Sequence, residues 1–550
     1  MDLYRAFLAI VISFVILIGY QYFFVPVEKP IQPTKTQEQA AVPEQPLSEA
    51  VPGQDITGPL PPLSTGEARP DPTARDITVD TPYYKAVIAE QGGGFKSFIL
   101  KGYQRQKKGD TSPMQLVQTS RPTELPALFF LGNGGGGELL RFHADKTNLS
   151  LAADSGKTSL VMTATVAERL KVIRTMVFDP ASYVIEDTYR VENLSQAPVS
   201  TFPVFSLTNR PFSVRDAASR FTFSGPVAYV NQSLREVKGK KINEGVMTLD
   251  GEVGWAAYED NYFICAVIPA EPVTGAVRMS ASDETVRTVI VEGPQPLDPS
   301  AVREFKYTVY FGPKKLEILT AVGSDLAKAI NFGWFDVLAK PMLWLLNFFH
   351  SFVGNYGIAI ILLTILIKAV FWPITQKGMK SMKNMQKLQP KVAKLKEKFK
   401  NDPQKMNQEM MALYKTYKVN PLGGCLPLLL QIPFFFALYK VLLMSIELRH
   451  APFMLWINDL SAPDRLWVGF DIPYLHGIPV LTLLMGASMF LQQKMTPTTA
   501  DPTQARIMQW LPVIFTFMFL NFASGLVLYW FINNLLSILQ QQLINRQTRA

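Results

Sequence analysis

Cysteine and histidine are scarce: 550 residues hold two of the first and four of the second. Cys265 and Cys425 fall in different regions, so no intramolecular disulfide framework is implied. His143, His350, His450 and His476 form no cluster at zinc-like spacing. Nucleophile elbows and Gly-rich nucleotide fingerprints are also missing. Gly156-Lys157-Thr158 looks like the end of a phosphate-binding loop, but Leu151 stands where the first glycine belongs, so the match is a chance one. Together these gaps speak against an enzyme and predict no metal and no cofactor. Charge is sparse too, at 18% of residues against 48% hydrophobic. The long apolar runs are segregated at Phe7 to Val25 and beyond Pro341, the composition of a membrane protein with a large water-exposed part.

One cation interrupts an apolar run. Tyr356 to Trp372 reads as a membrane span, yet it carries Thr364 and Lys368 four residues apart, on one helical face. A charge near the middle of a span costs about 2.5 to 3.5 kcal/mol, so an intramembrane lysine points to a functional site. Just beyond it, Lys377 to Lys418 holds twelve lysines against three acids, an excess of nine that equals the formal net charge of the whole chain. The protein has one basic device beneath a charged span.

Charge also orients the chain. Arg5 precedes the first apolar stretch, which lacks a small-residue cleavage pattern and ends in Tyr20, Tyr22, Phe23 and Phe24; 1–25 is expected to be an uncleaved anchor with its N-terminus in the cytoplasm. Residues 26–76, rich in Pro, Gln, Thr and Glu, read as a disordered tether. Over 77–320 the pattern turns to short alternating segments, such as 158–168, 171–179, 183–193 and 304–312, separated by turn residues including Gly92 to Gly94. Period-two alternation rich in Val, Thr, Tyr and Phe predicts antiparallel sheets in a β-sandwich outside the cytoplasm. Residues 324–352, with Phe335, Leu338, Met342, Leu345 and Phe349 near helical spacing, read as an interfacial amphipathic helix, or as a helix packing on the sandwich.

Within 353–544, spans are expected at about 356–373, 422–444, 474–493, 507–522 and 525–543, with a cytoplasmic helical hairpin at 374–420 and a cytoplasmic tail at 545–550. The 521–525 break divides the last apolar run into two short segments. Six spans with both termini inside satisfy the charge cues. The fold class is therefore a polytopic α-helical membrane protein with a large external β domain and a cytoplasmic helical hairpin.

Lys368 alone is open to two readings: a lysine snorkelling to the headgroups, or an internal, water-facing charge. Thr364, Gln431 in the third span, and Asn533 and Asn534 in the last could line one hydrated cavity with it. In the hairpin, Asp402 before Pro403 marks a helix start. Its Lys377, Lys380, Lys383, Lys387, Lys391 and Lys394 could bind lipid headgroups, ribosomal RNA or nascent chains, while interleaved methionines suit a promiscuous surface. No base-reading motif appears, so sequence-specific nucleic-acid recognition is not expected.

The stretches Phe332–Gly357, Asn420–Tyr439, Ile446–Asp464, Gln493–Thr499, Ser524–Asn534 and Gln540–Ile544 resemble the YidC-type membrane protein insertases, in the Gram-negative form with a large periplasmic domain. The resemblance implies a bacterial inner-membrane location and a periplasmic β-supersandwich. It further implies a hydrophilic groove open to cytoplasm and lipid that inserts and helps fold membrane proteins, alone or with the Sec translocon. Nascent membrane proteins, Sec components, the ribosome and lipids are the partners it suggests, with no small-molecule substrate. Thr364 matches the family's groove threonine; Lys368 stands where the family usually carries Arg, and Trp530 follows Tyr529 where a second Tyr is common. Lys368, Thr364, Gln431, Tyr529, Trp530, Asn533 and Asn534 are thus the candidate groove residues. Two other classes stand beside this one: a secondary transporter of an anionic solute centred on Lys368, and a carbohydrate-active sandwich using Glu186 and Asp187. Those two carboxylates alternate along a strand and so point to opposite faces.

Overall fold

The computed structural model of the chain describes residues 70–106, 111–132, 139–166, 168–212, 223–282, 285–399, 402–417, 426–473, 475–495 and 502–547. The expected N-terminal anchor, most of the tether, and Cys425 lie outside the described residues.

The alternating segments build two sheets. Strands Thr158–Val166, Leu170–Phe178, Val184–Asn193 and Val302–Pro313 lie side by side, each pair antiparallel, within a 14-stranded sheet. A 5-stranded sheet packs on it through Phe95 and Phe98, whose rings both stand 5.3 Å from that of Phe311. Alternate residues of Leu170–Phe178 are buried along its whole length, as period-two patterning requires. The sandwich starts earlier than expected: residues 70–76, assigned to the tether, belong to it. Arg141 pairs with Asp71 at 2.8 Å, and Arg75 with Glu90 at 2.6 Å. Burial raises the Glu90 carboxyl, but hydrogen bonds from Arg75 and Ala144 outweigh it and hold the group at about 2.

One polar network crosses the sandwich interior. Arg174 and Asp187, both essentially inaccessible, form a two-pronged ion pair with Nε–Oδ1 at 2.8 Å and Nη2–Oδ2 at 2.6 Å. Tyr189 donates to the same carboxylate at 3.1 Å, and the guanidinium also donates to the Gly93 carbonyl. Gly93 reaches that position with φ +76, inside the predicted Gly92–Gly94 turn. Asp187 is thus a buried structural ion, while Glu186, on the opposite face, meets solvent and pairs with Lys157 at 2.7 Å. The two carboxylates do not converge.

The helical part follows. Helix α1 (Asp336–Val353) buries Ala339, Met342, Leu343 and Leu346 and leaves Val337, Trp344, Phe348 and Phe352 exposed. Its neighbour α2 (Tyr356–Lys398) runs unbroken through Pro373 and Pro390, so the expected span and first hairpin arm are one 43-residue helix. The second arm, α3 (Pro403–Thr416), starts where expected: the Asp402 carboxylate accepts from Lys405 N at 3.0 Å. Then come α4 (Leu426–Met444), α5 (Val480–Met495), α6 (Pro502–Phe519) and α7 (Ser524–Gln547).

Two expected bounds need correction. The 474–493 span begins only at Val480, because Pro479 cannot continue a helix backwards and the Asp464 carboxylate caps the first turn by accepting from Thr482 N at 3.1 Å. The last helix is not short: it has 24 residues, since Ser524 anchors its start by donating to the Asp459 carbonyl at 2.8 Å. Among the described residues one helix, Tyr356–Leu395, is long and apolar enough to cross a membrane by length and composition; Leu430–Met444 and Gln509–Phe519 are shorter apolar helices.

Removing one partner of the buried Arg174–Asp187 pair strands a charge in the sandwich, at a cost of about 3–5 kcal/mol. Asp187→Ala is expected to lower the unfolding free energy of the sandwich by that amount in the full chain, read as a fall in the denaturant midpoint followed through the fluorescence of buried Trp255. Arg174→Met combined with Asp187→Leu is expected to cost less than the single change.

Candidate functional site in the helical bundle

Helix α7 organises the site because its polar residues fall in two stripes. Asn533, Ser537 and Gln540, spaced by four and three, meet α2; Asn534 and Gln541, seven apart, meet α5. Such spacing keeps each set on one helical face.

Lys368 lies on the α2 side and is 5% exposed. Its ammonium donates to Ser537 Oγ at 2.7 Å and to Asn533 Oδ1 at 3.3 Å. The Ser537 hydroxyl donates a hydrogen bond to the Asn533 backbone carbonyl at 2.7 Å, which leaves its oxygen lone pairs to accept from the lysine. Among the described residues no carboxylate stands within ion-pair distance of Lys368. A buried cation is held here by neutral oxygens alone. One turn further along α7, Gln540 Nε2 donates to Thr375 Oγ1 at 2.8 Å, and its Oε1 is buried with no partner among the described residues.

The other candidates distribute as follows. Thr364, 1% exposed, sits one turn from Lys368, but its hydroxyl is spent on the Ile360 carbonyl at 2.6 Å. Asn534 faces away from the lysine and donates to Ser488 Oγ on α5 at 3.0 Å. Tyr529 is buried, with its ring 6.4 Å from that of Phe435 on α4. Trp530 packs edge-on against Phe435 and Phe519, at 5.1 and 5.6 Å, so it wedges between α4 and α6; its indole N–H is buried with no acceptor among the described residues. Gln431 is half-buried on α4, and no hydrogen bond among the described residues joins it to Lys368. Thus Lys368, Thr364 and Asn533 come together, the aromatic pair forms a neighbouring wall, and Asn534 serves a different helix contact.

In the hairpin, Lys377, Lys380, Lys387, Lys391 and Lys394 are exposed, whereas Lys383 is half-buried and donates to Asn545 Oδ1 at 3.3 Å. Lys391 lies 4.3 Å over the Tyr417 ring and so ties the two arms together. Ser537, Gln540 and Thr375 were not singled out from sequence. The signal was present: Ser537 follows Asn533 by four residues, on the face turned to Lys368. No group of acidic, histidine or cysteine side chains suited to a metal ion occurs among the described residues.

Comparison with known proteins places this arrangement. The family model described as 60Kd inner membrane protein matches residues 348–550, and the YidC periplasmic domain model matches 76–345. The membrane protein insertase YidC of Syntrophus aciditrophicus is 42% identical over 99% of this chain and 99% of its own length. That of Syntrophobacter fumaroxidans is 40% identical over 98% of this chain and 99% of its own. A solved active YidC insertase, with its first transmembrane domain resolved, aligns over 86% of this chain and 92% of its own at 19% identity and a TM-score of 0.35. The transporter reading finds no support in these comparisons. Identity of about two residues in five over nearly the whole of this chain, with family models matching 76–345 and 348–550, means that this chain belongs to the YidC family of membrane protein insertases.

Proposed function

We propose that the chain inserts membrane proteins through a hydrated groove beside Lys368, without nucleotide hydrolysis, alone or together with the Sec translocon. The observation that carries this reading is the buried Lys368 ammonium held only by neutral partners. A buried cation with no counter-ion is costly, and the cost falls when a substrate supplies the missing acidic or carbonyl oxygen. At about 4 Å and an effective dielectric of ~20, a carboxylate gains roughly 4 kcal/mol beside it. Trp530, whose indole N–H has no acceptor among the described residues, offers a donor and an apolar wall to the same segment.

The topology that fits is six spans: an anchor within 1–25 and helices α2, α4, α5, α6 and α7, with the sandwich in the periplasm and both termini in the cytoplasm. The 16 residues of α5 rise about 24 Å, less than the ~30 Å of a hydrocarbon core, so the bilayer thins or the flanking residues bend to meet it. The substrate's polar tail enters from the cytoplasmic side, is drawn to Lys368 and passes outward while its apolar segment partitions into lipid. The membrane potential adds about 2.3 kcal/mol per charge for each ~100 mV. The exposed hairpin lysines recruit nascent chains at the ribosome or hold anionic headgroups.

Charge at position 368 is expected to be the essential property. Lys368→Arg retains insertion, whereas Lys368→Ala and Lys368→Glu lower it at least about tenfold, or ~1.4 kcal/mol, for single-span substrates with acidic translocated tails. Equal insertion by Lys368→Glu across a substrate panel would sink the electrostatic step. A second test leaves the lysine in place: Ser537→Asp gives it an internal counter-ion and is expected to impair the same substrates, while Ser537→Ala has a smaller effect. A photo-crosslinker at Gln431 or Trp530 is expected to capture a stalled nascent chain, and one at Val246 on the sandwich surface is not.

A further inference from the structure

The segment 445–479, between α4 and α5, carries large apolar side chains outward at the ends of the helices. Its first half is pinned to the start of α2. Asn355 Nδ2 donates to the Phe453 carbonyl at 2.9 Å, and Gly357 leaves room for the Phe453 ring, which would stand 2.0 Å from an added Cβ. A tight knuckle follows, closed by Phe453 N to the Ile457 carbonyl at 2.9 Å and Ile457 N to the Met454 carbonyl at 3.1 Å. Met454 and Leu455 are its tip. Leu455 is 80% exposed and holds φ +55, a conformation that a bulky residue adopts only at a cost. Asn or Gly would fit there without strain. The strain therefore presents an apolar side chain to the outside.

The second half repeats the pattern beside the α6–α7 turn. Arg465 donates to Asn521 Oδ1 at 2.9 Å, and Trp467 and Phe470 beyond it are 56% and 64% exposed. The knuckle adjoins a third apolar surface: Asn355, which holds it, lies three residues after Phe352, the last member of the exposed α1 stripe. The knuckle and the α1 stripe therefore sit where the apolar run of α2 begins at Tyr356, the level at which that helix would enter lipid, and the α6–α7 turn that holds Trp467 and Phe470 is close to it, since an added Cβ on Gly525 would stand 3.4 Å from Ile360 Cδ1.

We propose that segment 445–479 is a lipid-contacting collar whose Met454–Leu455 tip, together with Trp467 and Phe470, is embedded at the boundary between headgroups and acyl chains. Aromatic and aliphatic side chains at helix ends favour that layer, where apolar burial contributes without carrying backbone polar groups into the hydrocarbon. A protein partner would be expected to leave the tip in water in the purified chain; lipid covers it whenever a bilayer is present. The collar rests on the membrane reading above and not on the groove, so its test does not read insertion.

The test uses the full chain in proteoliposomes, with Leu455→Cys carrying a polarity-sensitive fluorophore in a Cys425→Ser background; Cys265 is buried. Val246→Cys on the sandwich, labelled in the same way, is the control. The expected result is blue-shifted emission at 455, with a ratio of quenching by glycerol-proximal lipid nitroxides to quenching by aqueous iodide several-fold above the control. Emission and quenching like those of the control would overturn the collar, and so would shielding from both quenchers, which places the tip inside protein. Leu455→Asn separates strain from lipid contact: it is expected to keep or raise stability in detergent, because it relaxes the backbone. A loss of stability there would show that Leu455 packs within the protein, against the proposal.

Discussion

A single buried ammonium sets the terms for the helical bundle. Lys368 is an expensive residue to place on an apolar helix, and its environment limits the cost by hydrogen bonding without neutralising the charge. Supplying neutral oxygens at the right height requires α7 to present Asn533 and Ser537 to α2. That orientation turns Asn534 and Gln541 toward α5, where Ser488 Oγ and the Met495 carbonyl accept from them. The contacts of α7 with two neighbours thus follow from one helical rotation. Close approach completes the bundle: an added Cβ on Gly486 of α5 would stand 2.1 Å from Thr516 Oγ1 on α6.

The sandwich is joined to this bundle by a cation of another kind. Arg449, just after α4, lies 5.7 and 5.2 Å from the Tyr262 and Phe263 rings and donates to the carbonyls of Gln104 and Arg105 at 2.8 and 2.9 Å. Tyr262 reaches back to the Leu443 carbonyl at the α4 terminus, at 3.5 Å. Planar guanidinium chemistry suits this site, since one group stacks on aromatic faces while its edge meets backbone carbonyls. Movement of the sandwich against the membrane part would have to break this clamp first.

How much of this was legible in the sequence depended on the range of the interactions. The alternation in 158–193 and 302–313 reports burial on a pleated surface, a local property, and the strands form where it predicts them. Lys368 with Asn533 was legible as company, because unmatched polar groups in apolar helices demand partners. Which neighbour each would find was not: Asn533 and Asn534 are adjacent in sequence but about 100° apart around the helix, so one meets α2 and the other α5. The Arg174–Asp187 pair was hidden for a related reason, since strand polarity looks the same whether its face meets water or a second sheet. The late start of α5 depended on Asp464, a cap supplied from sixteen residues before Val480.

The identity of the cation follows from counting donors and acceptors. An ammonium carries three N–H groups, and Ser537 and Asn533 take two, which leaves one for an incoming oxygen. A guanidinium brings five donors in a rigid fork and would leave more of them unmet by the same two oxygens. An arginine at this position would therefore need further acceptors, from water or from neighbouring side chains, to be equally well satisfied. Lysine and the Asn533–Ser537 step form a matched set: the smaller donor inventory fits a site with few acceptors, while the charge available to a substrate stays the same. In the proposed groove the positive charge is what an incoming segment would meet, and the shape of the group carrying it is set by the side chains across the α2–α7 contact.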